Sequence, residues 1–295
     1  MSRLSRVLVA LAAVISVTAV TQVAAVPSAS AATCSRTAFT VVAHEDDDLL
    51  FMNPDLQAEL DAGACATTVY LTAGDDGAGA AYWQEREQGP RAAYATMLGI
   101  DPGAPWTLSQ RTYAGHTVHV ATSPGSGVVE LMYLRIPDGG LSGNGTSAYG
   151  EVSLPKLYSG AITQAPTVDG SATYTKQGLL QTIAAIAAAS PNAVARIHDV
   201  RSGQGDHPDH LAAGRIALDA LTAFGGAVIA YRGYGVTSEP ANVTGAELER
   251  KTEALLSYAA HDPRLCGGTQ CPAGVEAQWN ARRYTAPIPS RGTPE

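Results

Sequence analysis

The chain has 295 residues, with 27 acidic against 19 basic side chains and a formal net charge of −8. No basic run occurs anywhere, so the electrostatic footprint needed to compete for phosphate backbones is missing, and nucleic acid is excluded as a partner. Four cysteines, two near each end of the folded part, suit an oxidising compartment.

The first element is a leader. Arg3 and Arg6 precede an apolar run over residues 7–26, broken only by Ser16, Thr18, Thr21 and Gln22, and small residues follow at 28–32. This pattern predicts a signal peptide over 1–32, cut after Ala31 or Ala32, rather than an anchor that stays attached. The expected product is a secreted (extracellular) protein with no stable membrane association after cleavage, formed by a single domain over 33–295. Cys34 is expected to pair with Cys65 and Cys266 with Cys271. The rival reading, a zinc knuckle, suits tight Cys pairs better than residues this far apart.

Residues 38–43 form a short β-branched run that turns abruptly acidic, the mark of a buried parallel strand entering a loop. Leu49, Leu50, Leu56 and Leu60 then give a helical pattern ending at Gly63. A second strand over 67–72 runs into Gly74-Asp75-Asp76-Gly77, and a helical segment over 80–98, interrupted at Gly89-Pro90, stops at Gly99. This β-α-β-α opening predicts an α/β chain with a Rossmann-like, doubly wound, mostly parallel sheet and helices on both faces. Strands follow at 117–121 and 128–136, then a turn-rich stretch over 139–150 that reads as a flap. An alanine-rich helix (175–189), a strand (193–197), a helix (208–224), a strand (227–231) and an amphipathic helix (246–260) complete the order, with a loose tail expected from residue 285.

Two clusters carry chemistry. His44-Glu45-Asp46-Asp47-Asp48 stands where the first strand gives way to a helix, at the carboxyl edge of the sheet where open α/β folds form ligand sites. An acidic run at a helix start can merely complement the helix dipole, but imidazole beside carboxylates is a donor set for zinc or a similar divalent ion. The second cluster, Asp206-His207-Pro208-Asp209-His210, again follows a strand and opens a helix, with Pro208 suited to the first turn. His207 and His210, three apart, share one side of that turn. Together the clusters offer a His, an Asp and a second His as ligands with acid–base residues to spare, as in catalytic rather than structural metal sites.

The strand followed by Ala43-His44-Glu45-Asp46-Asp47, the Gly-Asp-Asp-Gly turn and the His-Pro-Asp-His motif resemble the PIG-L/LmbE-like family of metal-dependent N-deacetylases. The resemblance spans roughly residues 37–234. It departs at Glu45, where the family usually has proline. By position, it implies that His44, Asp47 and His210 hold the metal, Zn2+ or alternatively Fe2+. It further implies that Asp46 is the general base and His207 the acid or oxyanion partner, with Asp209 orienting it or acting as a helix-start acid. Arg86 is implied as a substrate contact, with Arg91 as the other possible register; the bland reading of an arginine on a helix is a solvated surface charge. Asp75 joins the substrate side, and Asp75 and Asp76 shape the turn and rim. Tyr231, Arg232 and Tyr234 follow a strand and line a sugar site or pack structurally. His116, His119, His198 and His261 are expected to be structural by default; His198, which ends a strand leading to the second motif, has the alternative of standing behind the metal ligands. The implied activity is removal of an N-acyl group, in particular N-acetyl, from an amino sugar or glycosylated small molecule. Two other readings are a non-catalytic carbohydrate-binding protein on the same fold and a metal-dependent hydrolase of a different bond.

Overall fold

The computed structural model describes residues 34–288 except 126, 202–204 and 269. The expected leader at 1–32 and the end of the expected loose tail, from 289, lie outside the described residues. In chain order the elements are β1 (Thr37–Val42), α1 (Asp55–Asp61), β2 (Cys65–Thr72), α2 (Ala80–Arg86), α3 (Gln88–Met97), β3 (Thr107–Tyr113), β4 (His116–Thr122), β5 (Val129–Ile136) and α4 (Leu154–Ser159). They continue with β6 (Ala165–Pro166), β7 (Thr173–Tyr174), α5 (Lys176–Ala188), β8 (Ala193–His198), α6 (Pro208–Ala220), β9 (Val228–Tyr231), α7 (Gly245–Ala259), α8 (Gly274–Asn280) and β10 (Thr285–Ala286).

Eight strands form one sheet in the order β10-β9-β8-β1-β2-β5-β4-β3, and β6 and β7 pair separately. The five central strands β9, β8, β1, β2 and β5 run parallel; β10, β4 and β3 pair antiparallel at the edges. Every residue of β1 is buried. Phe39 and Val41 join the core packed by α4, α5 and α6, while Ala38 and Val42 join the core packed by α1, α3, α7 and α8. A strand covered on both faces must be apolar throughout, which is why 38–43 shows no alternation. The chain leaves β1 toward β2 on one side and returns to β8 on the other, so the sheet's switch point lies at the carboxyl end of β1.

Three expectations change in detail. The helical pattern after β1 is split: a wide π-type turn (Asp48–Met52) ends at Asn53-Pro54 before α1 begins. The break between α2 and α3 falls at Glu87, and Pro90 sits in the first turn of α3, where its missing N–H costs nothing. Thr285 and Ala286, expected to be loose, instead pair with Tyr231 and Ala230 of β9. Both cysteine pairs are bridged as expected, Cys34 to Cys65 and Cys266 to Cys271. Among the described residues, no helix is long and apolar enough to cross a membrane.

Candidate active site

Five parallel strands deliver their carboxyl ends to one place: β1 supplies 44–48, β2 supplies Gly74 to Asp76, β5 leads to Asp138, β8 ends at His198 and leads to 206–210, and β9 leads to Tyr234. The four consecutive acids after His44 meet four different environments. Asp48 turns into the core, where its carboxylate accepts the hydroxyls of Tyr94 (2.7 Å) and Tyr70 (3.1 Å). Burial pushes it up to about 7. Glu45 is fully buried with neither oxygen hydrogen-bonded, and burial pushes it up to about 8 against the pull of Arg86 and His44. Asp46 faces a cavity of about 230 Å3 together with His44, Asp76, Arg86, Asp138, Leu141, His207 and Tyr234.

Asp47 is the acid that meets the histidines. Its Oδ1 lies 2.8 Å from His210 Nε2 and its Oδ2 3.4 Å from His44 Nδ1, while His44 Nδ1 and His210 Nε2 are 3.3 Å apart. The backbone N–H of His44 donates to Asp47 Oδ2 (2.7 Å), and His198 Nε2 lies 3.1 Å from the same oxygen. Burial alone would raise Asp47, but the rings of His210, His198 and His44 hold its carboxyl well below the usual range. Conversely, burial works to deprotonate His210, and Asp47 and Asp206 overcome it, raising the ring to about 10.

The outer nitrogens of the His44 and His210 rings are occupied. His210 Nδ1 lies 2.8 Å from Asp206 Oδ1, and His44 Nε2 lies 3.4 Å from Asp209 Oδ2 and 3.5 Å from Asp138 Oδ2. With His210 raised to about 10, its Nε2–H donates to Asp47 Oδ1 while no other cation is held there. Once that proton is displaced and the outer nitrogens keep theirs, two imidazole lone pairs and the Asp47 carboxylate face one another at 2.8–3.4 Å. The donor set His44, Asp47 and His210 therefore fits a zinc-type divalent ion.

Donor atoms of His44, Asp138, His207 and Asp209 also gather within 4.8 Å, a cluster not apparent in the sequence. It shares His44, and a neutral imidazole has only one lone pair to give, so these acids serve as acceptors for the outer His44 nitrogen.

The remaining site residues divide clearly. Asp209 Oδ2 accepts the Gly139 N–H (2.8 Å) and lies closer to His44 Nε2 (3.4 Å) than to His207 Nδ1 (3.9 Å). His207 is held instead by the helix start: its Nδ1 accepts the backbone N–H of Asp209 (3.1 Å). Burial, with His44 and His210 nearby, keeps this ring neutral. Asp75, placed on the substrate side from sequence, is fully buried, and both of its oxygens accept backbone N–H groups, from Gly77 (2.9 Å) and Asp138 (2.9 Å). It shapes the turn, and Asp76 is the rim residue. Arg86, not Arg91, reaches the cavity; Arg91 lines a separate depression. Nor is Arg86 a solvated charge: it is 7% exposed and donates to Asp46 Oδ1 (3.1 Å). Tyr234 forms the far wall, stacked on Trp279 at 4.4 Å, whereas the Tyr231 hydroxyl donates to Asp55 (2.7 Å) and packs structurally. Arg232 pairs with Glu239. His116 stacks on Tyr174, His119 pairs with Asp169 and His261 with Glu85, all outside this site.

Sequence reasoning missed Asp138 and gave no role to Asp206. Asp138 follows Pro137 in a turn with no motif of its own, whereas Asp206, four residues before His210 in the second motif, was legible in principle.

The family model for PIG-L, described as GlcNAc-PI de-N-acetylase, matches residues 39–221. No curated protein matches. Among solved structures, the conserved protein TT1542 from Thermus thermophilus is similar at 20% identity and a TM-score of 0.42, over 83% of this chain and 85% of that one. With its first motif, its second motif and the sheet between them all inside the matched region, the chain belongs to the PIG-L family.

Proposed function

We propose that the chain is a secreted metal-dependent hydrolase that removes an N-acyl group, in particular N-acetyl, from an amino sugar or glycosylated small molecule, with zinc as the ion and iron(II) as the alternative. The observation that carries this reading is the convergence of His44 Nδ1, Asp47 and His210 Nε2 directly behind a cavity onto which Asp46 and His207 both open. A divalent ion held there supplies positive charge that acidifies water and offsets the charge developing on a carbonyl oxygen.

Asp46 takes a proton from water as the water oxygen adds to the amide carbon. His207 has its Nδ1 committed to the Asp209 N–H, so only Nε2 carries a proton, and the neutral ring donates a hydrogen bond to the developing oxyanion. As the carbon–nitrogen bond breaks, protonated Asp46 returns its proton to the nitrogen, leaving acetic acid and a free amine, which pass one proton between them to end as acetate and an ammonium group. Tyr234, stacked on Trp279, offers a rigid aromatic wall to a sugar ring. Secretion is supported by the leader pattern and by two disulfides.

The test is acetate release from a panel of N-acetylglucosamine, its aryl glycosides and N-acetylated glycosylated natural products, before and after chelation. Release that stops on chelation and returns with zinc supports the reading. Turnover unchanged in metal-free protein, or none on any N-acylated compound, overturns it.

A further inference from the structure

Arg86 is held in place from outside the region that the family model matches. Asp262, three residues past the end of α7, is buried, and each neighbour of its carboxylate is a donor. Oδ1 accepts the Tyr82 hydroxyl (2.9 Å) and the Arg264 N–H (3.1 Å), and Oδ2 accepts the Tyr258 hydroxyl (2.9 Å) and lies 3.0 Å from Arg86 Nε. The Tyr258 oxygen in turn accepts the Arg86 Nε–H at 2.8 Å. At its other corners the guanidinium donates from Nη1 to the Gly74 carbonyl (2.7 Å) and from Nη2 to Asp46 (3.1 Å). Gly74 has φ +52°, and a Cβ there would overlap both Arg86 Nη1 and Glu45 Oε2, so the chain keeps this space open for the guanidinium.

A competitor for Nε stands ready. Glu45 Oε2 is 3.7 Å away, buried and without a hydrogen bond. We propose that Asp262, with Tyr258, is a positioning residue for the reaction: it wins Arg86 Nε from Glu45 and so aims Nη2 at the carboxylate of Asp46. The function of this arrangement rests on the reading of Asp46 as general base.

The experiment uses the zinc-loaded full-length mature protein, with acetate release from p-nitrophenyl N-acetyl-β-D-glucosaminide as the kinetic probe. Asp262→Asn is expected to lower kcat by roughly tenfold or more while KM changes less than about twofold and zinc content stays the same. In an Arg86→Met background the same change should cost nothing further, because the two residues act as one unit. A merely structural role predicts additive losses, and additivity overturns the proposal. If Asp262→Asn does not fold, Tyr258→Phe, which keeps the ring and removes both the acceptor for Nε and the donor to Asp262, carries the same cycle. A second readout needs no turnover: in protein labelled with 15N-arginine, Asp46→Asn should shift the Arg86 Nε–H resonance in the parent but not in Asp262→Asn. An equal shift in both backgrounds refutes the positioning. If the protein releases acetate from no probe, the functional reading fails, and the resonance alone decides the inference.

Discussion

Asp206 gives the sharpest test of how the metal site is held. Its Oδ1 accepts three donors, His210 Nδ1 at 2.8 Å, the His207 N–H at 2.9 Å and the Tyr234 N–H at 3.0 Å, and Gly233 approaches so closely that a Cβ would strike the carboxylate. Asp206→Asn fits the same space, and its amide oxygen takes the Oδ1 position, since the opposite orientation would set NH2 against three donors. The tautomer of His210 survives, but the acceptor is now neutral and the ring less basic. Zinc affinity should fall by roughly tenfold, the lower end of the range for residues behind metal ligands. Asp206→Ala leaves three buried donors unpaired, at about 1–3 kcal/mol each, and frees the ring to present Nε2–H to Asp47. Its zinc affinity should fall by roughly 100-fold, about 2.7 kcal/mol, with a clear loss of melting temperature. Competition against a chromophoric chelator measures both. Zinc binding within twofold of the parent in folded Asp206→Ala would refute the argument that this carboxylate sets the ligand.

Gly139→Ala places a Cβ 2.6 Å from Asp209 Oδ1, so the carboxylate must leave His44 Nε2; zinc affinity measured by the same competition should fall about tenfold, and no change would show that Asp209 does not orient the ligand. Lys251, fully enclosed against the carbonyls of Leu50 and Arg282, is pushed down to about 7 by burial, with Arg283 adding to the effect. Below about pH 7 both folded and unfolded chains carry its proton and the cost of burying the charge is complete; from there to about pH 10.4 only the unfolded chain holds the proton, so stability rises with pH. Urea unfolding should therefore show the gap between Lys251→Met and the parent shifting in the parent's favour from pH 6 to pH 9, and parallel curves would contradict this. Thiol titration of the unreduced, denatured protein should find no free cysteine; two or more would show that a bridge is missing.

The sheet was legible because its central strands are short, continuous apolar runs ending abruptly in turn or acidic residues, and because both motifs follow such runs. His44, Asp47 and His210 could be named from that placement together with the family resemblance. Contacts made across long sequence separations could not. Arg86 reads as a helical surface charge, and what buries it, Tyr258 and Asp262, lies more than 170 residues further on. The edge strand β3 is mostly exposed and polar, without the alternation that marks a strand in sequence. Of Asp75 and Asp76, identical in type, only the fold decides that the first turns inward to backbone N–H groups and the second faces the cavity.

Asp46 and Asp47 are adjacent and chemically alike, yet one faces the cavity and the other His44, His198 and His210. Asp46→Asn and Asp47→Asn, compared for zinc content and acetate release on the same preparations, therefore test the central claim most directly. Asp46→Asn should retain zinc and lose on the order of 10²–10⁴ in turnover with no rescue by added metal. Asp47→Asn should lose zinc, with activity partly restored at high metal concentration. Near-full turnover in Asp46→Asn, or full zinc occupancy in Asp47→Asn, would contradict the division of work between these two carboxylates.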